Sequence, residues 1–159
     1  MKKIGQKFIC CILFSFLVLM TAPASAAESS SYGALSYGNV VEQLLAEETE
    51  DGLALTFKVT NNEDYPYSVA HRDGQVFDFA IRSRAGEVLW RWSDGMAFTM
   101  ALTSSSVAPH SSVVYTAAIP MKEYKEFKNK AFLVTAWIVD TPLRLSTRTP
   151  KETRIWRDL

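Results

Sequence analysis

Cysteine is nearly absent from this 159-residue chain: there are two, Cys10 and Cys11, and both fall within the first 26 residues. Disulfides, redox dithiols and thiolate metal sites are therefore excluded from the remainder. Histidine is as scarce, with His71 and His110 alone, and neither has the closely spaced His or carboxylate neighbours that a metal site requires. Neither a glycine-rich phosphate loop nor a Gly-x-Ser-x-Gly element occurs. Basic and acidic residues balance at 17 each without a basic cluster, which argues against nucleic acid as a partner. No cofactor is expected. The apolar run at residues 8–20 holds 13 residues, fewer than the roughly 20 that a bilayer-crossing helix needs.

That run has a context. Lys2, Lys3 and Lys7 precede or open it, and Ala24-Ser25-Ala26 follows it, an order that predicts a cleaved secretory signal over residues 1–26. Export to the medium, the periplasm or the cell envelope is the corresponding expectation, with no stable membrane insertion after cleavage. Neither cysteine follows the apolar run, so a lipid anchor is not expected. Removal of this segment, which carries three lysines and no acid, leaves a net charge of about −3.

The most patterned stretch runs from Phe77 to Trp92. Two alternating runs, Phe77-Asp78-Phe79-Ala80-Ile81 and Val88-Leu89-Trp90-Arg91-Trp92, flank a Ser83-Arg84-Ala85-Gly86 turn, which predicts a β-hairpin. Placing Arg82 opposite Glu87 sets Phe79 against Trp90, Phe77 against Trp92 and Asp78 against Arg91, so that each partner suits its opposite. Elsewhere Leu53, Leu55, Phe57 and Val59 alternate with polar residues, and so do Val113, Tyr115, Ala117 and Ile119. Residues 131–139 are apolar on both faces and belong at the centre of a sheet. About seven short strands result, and two packed antiparallel sheets are the economical arrangement for them.

Asn61, Gly74-Gln75-Val76-Phe77-Asp78-Phe79, Gly86, Trp90-Arg91-Trp92-Ser93, Phe98 and Leu102, taken in order with Val107-Ala108-Pro109 and Tyr115, resemble the BsuPI family of proteinase inhibitors. The resemblance covers residues 39–149. It implies an immunoglobulin-like antiparallel β-sandwich and inhibition of a serine protease. On this reading residues 27–38 are a flexible leader, 39–149 the domain and 150–159 a polar tail. Phe98 and Leu102 are expected in the core, and residues 121–130 form a short crossover between sheets.

Inhibition requires a projecting loop stiff enough to lose little entropy on docking. Three loops qualify: residues 65–72, with Tyr65, Pro66, Tyr67, His71 and Arg72; residues 93–96; and residues 103–112, with Ser105, Ser106, Pro109 and His110. Given the export signal, the expected partner is an extracytoplasmic serine protease. The alternative is a non-inhibitory interaction module of the cell envelope. Enzymatic readings are weaker. His71 with Asp73 and Ser93, or His110 with Ser111, could be assembled into a triad only if folding brought them together at a strained nucleophile turn. The oligomeric state is left open.

Overall fold

The computed structural model describes residues 29–150. The expected signal segment and all but the first residue of the expected tail lie outside the described residues. The chain forms β1 (Ser29–Tyr37), β2 (Val40–Thr49), β3 (Gly52–Asn61), β4 (Tyr67–His71), β5 (Phe77–Ser83), β6 (Val88–Arg91), β7 (Thr103–Val107), β8 (Ser111–Pro120), α1 (Met121–Phe127), β9 (Ala131–Ile138) and β10 (Leu145–Arg148). It is all-β, with antiparallel sheets in the orders β1-β2-β3-β8, β10-β9-β5-β6 and β4-β7.

Alternation explains which faces meet. In β3, Leu53, Leu55, Phe57 and Val59 are buried while the residues between them are partly exposed. In β9, Val134, Ala136 and Ile138 join the same core, which also takes Phe79 and Ile81 from β5. Phe57 meets Phe79 edge-on at 6.4 Å between ring centres, and Phe77 stacks on Tyr115 at 4.5 Å. These ring contacts tie the two four-stranded sheets face to face. The crossover between them is α1, which buries Tyr124 against the core. The β2–β3 turn closes on Gly52, with φ at 144°, where a Cβ would lie 2.0 Å from the carbonyl oxygen of Ile119. Only glycine fits there.

Four expectations are corrected. Residues 29–37, expected within a flexible leader, form β1, which pairs along its whole length with β2. Its small polar residues hid a strand held through its backbone, and Gly33 lets it approach Ser146 closely. Residues 103–107, expected as loop, form β7 against β4. The β5–β6 hairpin is shifted by two residues: Ile81 faces Trp90, and Ala80 faces Arg91. Beyond a register irregularity between Ile81 and Arg82 the offset falls to one residue, with Arg82 facing Val88, so Ile81, Trp90 and Arg91 keep their expected faces while Val88 turns to the arginine face. Leu102 is 84 % exposed rather than in the core.

Candidate functional site

The end of the β5–β6 hairpin is locked by one carboxylate. Asp78 is fully buried, and its Oδ1 accepts from the backbone N–H groups of Phe79 (2.9 Å) and Ser93 (3.2 Å). Oδ2 accepts from Arg91 Nε at 2.7 Å and from the Ser93 hydroxyl at 2.8 Å. Four donors around a buried carboxylate meet the condition for keeping it there. They also fix Ser93, the residue from which the chain departs toward β7.

The departing segment, residues 93–102, is held at intervals. The Met96 N–H donates to Ser93 O at 3.1 Å across a turn in which Gly95 has φ of 78°. Phe98 packs on Trp92 at 6.2 Å, and Trp92 in turn on Phe77 at 4.3 Å. The Gly74 N–H donates to Thr99 O at 3.0 Å, and the Thr103 hydroxyl donates to Asp73 O at 2.5 Å. The large outward side chains on this segment are apolar: Met96 is 47 % exposed, Met100 95 % and Leu102 84 %. Single exposed apolar residues are ordinary on protein surfaces. Here three fall on one tethered loop.

The residues singled out from sequence divide sharply. Tyr65 and Pro66 are exposed, while Tyr67 is half-buried with its hydroxyl 3.1 Å from that of Tyr37. His71 is 2 % exposed and belongs to the interior, which removes it as a contact residue. Arg72 is exposed and donates its Nε to Asp140 at 2.7 Å, and its backbone N–H to the same carboxylate at 3.1 Å. That contact holds the Asp140 carboxyl below its ordinary pKa. Ser105 lies against His71, Ser106 is exposed and shares a hydrogen bond with Ser68, and Pro109 is half-buried. His110, at φ of 50°, pairs with Asp64 at 2.9 Å. Asn61 gathers this end of the molecule by donating to the carbonyls of Tyr65 (2.8 Å) and Val107 (3.0 Å). Met100 was missed altogether, because apolar residues in a sequence are assigned by default to a core.

Ser105, His71 and Asp140 resemble a hydrolytic triad in composition, not in geometry. His71 Nε2 is 2.7 Å from Ser105 Oγ, but its Nδ1 donates to the carbonyl of Val139 at 3.1 Å and lies 4.0 Å from Asp140. Ser105 sits in a regular strand opposite Val69, without the strained turn that presents a nucleophile. The histidine pins β4 to β7 and to the end of β9. The weaker alternative of His71 with Asp73 and Ser93 is not assembled either: the Ser93 hydroxyl is committed to Asp78. Among the described residues no group of three or more His, Cys, Asp or Glu could hold a metal ion.

Residues 41–143 match the family model BsuPI, described as intracellular proteinase inhibitor. No curated protein matches the chain. The family's description as intracellular points to a cytoplasmic location and overturns the expectation of export to the medium, periplasm or envelope. The N-terminal charge and hydropathy pattern behind that expectation lies outside the described residues.

Proposed function

Because the chain belongs to the BsuPI family of intracellular proteinase inhibitors, which matches it over residues 41–143, we propose that it inhibits a protease of the serine class by presenting residues 96–102 to the enzyme's cleft. The observation that carries this reading is the exposure of Met96, Met100 and Leu102 on a segment tied down at Ser93, Thr99 and Thr103. Such ties reduce the conformational entropy lost on docking. Burying one such side chain in an apolar specificity pocket is worth about 1.5 to 3 kcal/mol. The fitting enzymes are those whose pockets take large apolar side chains rather than cations. Two antiparallel sheets meeting over one core support an immunoglobulin-like sandwich as the scaffold, and the loop then projects from its rim. In this reading the protein is an inhibitor and not an enzyme, and the exposed Tyr65, Pro66, Arg72 and His110, outside the strands, are secondary contacts.

The test is titration of the protein against subtilisin-like, chymotrypsin-like and trypsin-like proteases. Stoichiometric inhibition of the first two, weakened at least about tenfold by Leu102→Asp, is the expected result. Inhibition confined to trypsin-like enzymes, or unchanged by substitutions at both Met100 and Leu102, overturns the assignment of the loop. No inhibition of any serine protease overturns the assignment of class.

A further inference from the structure

The face of the β10-β9-β5-β6 sheet turned away from the shared core carries a second, chemically different surface. In β9, Leu133, Thr135 and Trp137 alternate with the core residues Val134, Ala136 and Ile138. They form the floor of a groove of about 420 Å³ that Arg82, Arg91 and Arg144 also line. Two of the three guanidinium groups lie over the same indole: Arg91 Cζ is 5.4 Å and Arg144 Cζ 4.8 Å from the Trp137 ring centre. Trp137 is left 6 % exposed beneath them.

Each arginine is anchored through one nitrogen. Arg91 Nε holds Asp78, Arg144 Nη1 donates to the carbonyls of Thr141 (2.8 Å) and Leu143 (2.7 Å), and Arg82 Nη1 donates to Gly86 O at 3.1 Å. Stacking and these anchors fix the guanidinium planes before any ligand arrives. No acidic residue lines the groove. Asp78, the carboxylate paired with Arg91, already accepts four hydrogen bonds. Glu42 is the second carboxylate whose charge acts on Arg144, so three guanidinium groups against two carboxylates still leave an excess of at least one positive charge. Burial and then the like charge of Arg91 draw the Arg144 pKa below its usual value, a cost that a bound anion relieves.

We infer that this groove binds an acidic peptide segment of a partner protein, with carboxylates seated in the arginine forks and aliphatic stems over Leu133 and Trp137. Guanidinium forks match carboxylates in a paired geometry. A nucleic acid is the poorer fit, because the chain has no excess of basic residues to supply the extended field that a phosphate backbone demands. The inference stands apart from protease inhibition.

Fluorescein-labelled hexaglutamate, titrated with the full chain and followed by polarisation, tests it. Saturable binding is expected, weakened about tenfold or more by Arg144→Glu and by several-fold with Arg144→Lys, which keeps the charge and loses the fork. Lys122→Glu, at an exposed position on α1, should leave binding unchanged. Arg82→Glu serves as the second variant should Arg144→Glu fail to fold. Absence of saturable binding, equal loss in Arg144→Glu and Lys122→Glu, or tighter binding of a single-stranded hexanucleotide or of inorganic phosphate overturns the inference.

Discussion

Asp78 and the segment that leaves Ser93 break the same rule in opposite directions, and they adjoin. At Asp78 a charge is fully buried, yet each oxygen accepts two hydrogen bonds. In the segment that begins at its partner Ser93, Met96, Met100 and Leu102 are apolar and lie in solvent without cover. The first exception locks the local backbone, because Ser93 contributes both its N–H and its hydroxyl. The second stabilises nothing in the isolated protein. A polar knot inside and an apolar loop outside is the arrangement expected when one element must be rigid so that its neighbour can serve binding.

The comparison breaks most readily at the knot. Asp78→Ala removes the acceptor for Arg91, Ser93 and Phe79 at once; Arg91 is 43 % exposed and can rehydrate, so the expected loss in urea unfolding is about 2 to 4 kcal/mol, mainly from the donors of Phe79 and Ser93 left unpaired. Asp78→Asn keeps one oxygen acceptor and should lose less. At the loop the expectation reverses. Leu102→Asp should leave the unfolding midpoint within error of the parent while raising the inhibition constant for a susceptible protease at least about tenfold. A loop variant that unfolds the protein, or an Asp78→Ala variant as stable as the parent, erases the distinction between the two regions.

How much of this was legible depended on whether side chains or backbone carried the signal. The β3 alternation could be read directly because Leu53, Leu55, Phe57 and Val59 recur with period two beside Thr56, Lys58 and Thr60. The Asp78–Arg91 pair was legible too, and so was the Phe77–Trp92 contact, although the register inferred from them was two residues off. Both pairs are served by diagonal as well as direct neighbours across the ladder, so complementarity alone did not separate the two registers. In β1, Ser29, Ser30, Ser31 and Gly33 show no apolar period, and their strand exists because β2 offers a backbone edge. In β7 a Thr-Ser-Ser-Ser run resembles loop chemistry. There the serines bond to Ser68 and His71 across the ribbon. Of the exposed loop only residues 93–96 were legible; Met100 and Leu102 were not, because nothing in a sequence distinguishes a methionine or leucine meant for a partner from one meant for the core.

His71 sharpens the contrast at a lower energy. If the Ser105–His71–Val139 contacts are a structural pin, Ser105→Ala should cost about 1 kcal/mol of stability, the worth of one hydrogen bond, and leave inhibition unaltered. A hydrolytic activity that disappears in Ser105→Ala would instead make this cluster chemical, and the apolar loop would no longer be the functional centre.

The smallest effect comes from a second buried carboxylate, and its sign is opposite to that at Asp78. Glu42 is 1 % exposed; its Oε1 accepts from the Tyr37 hydroxyl at 3.0 Å, while Oε2 has no partner. Burial raises its pKa above the ordinary 4.5, against smaller lowering effects from Tyr37 and Arg144. A carboxyl with a raised folded-state pKa is protonated more readily in the native protein than in the unfolded chain. Its favourable contribution is therefore complete below about pH 4.5 and is lost as pH rises through the folded-state value. Glu42→Gln carries no charge to desolvate, so it should equal the parent near pH 4 and be the more stable of the two near pH 8. Urea unfolding of both proteins across that interval measures the divergence. Loss of stability in Glu42→Gln at pH 8 would mean that Glu42 has the satisfied shell that Asp78 has, and that burying a carboxylate here carries no residual cost at either place.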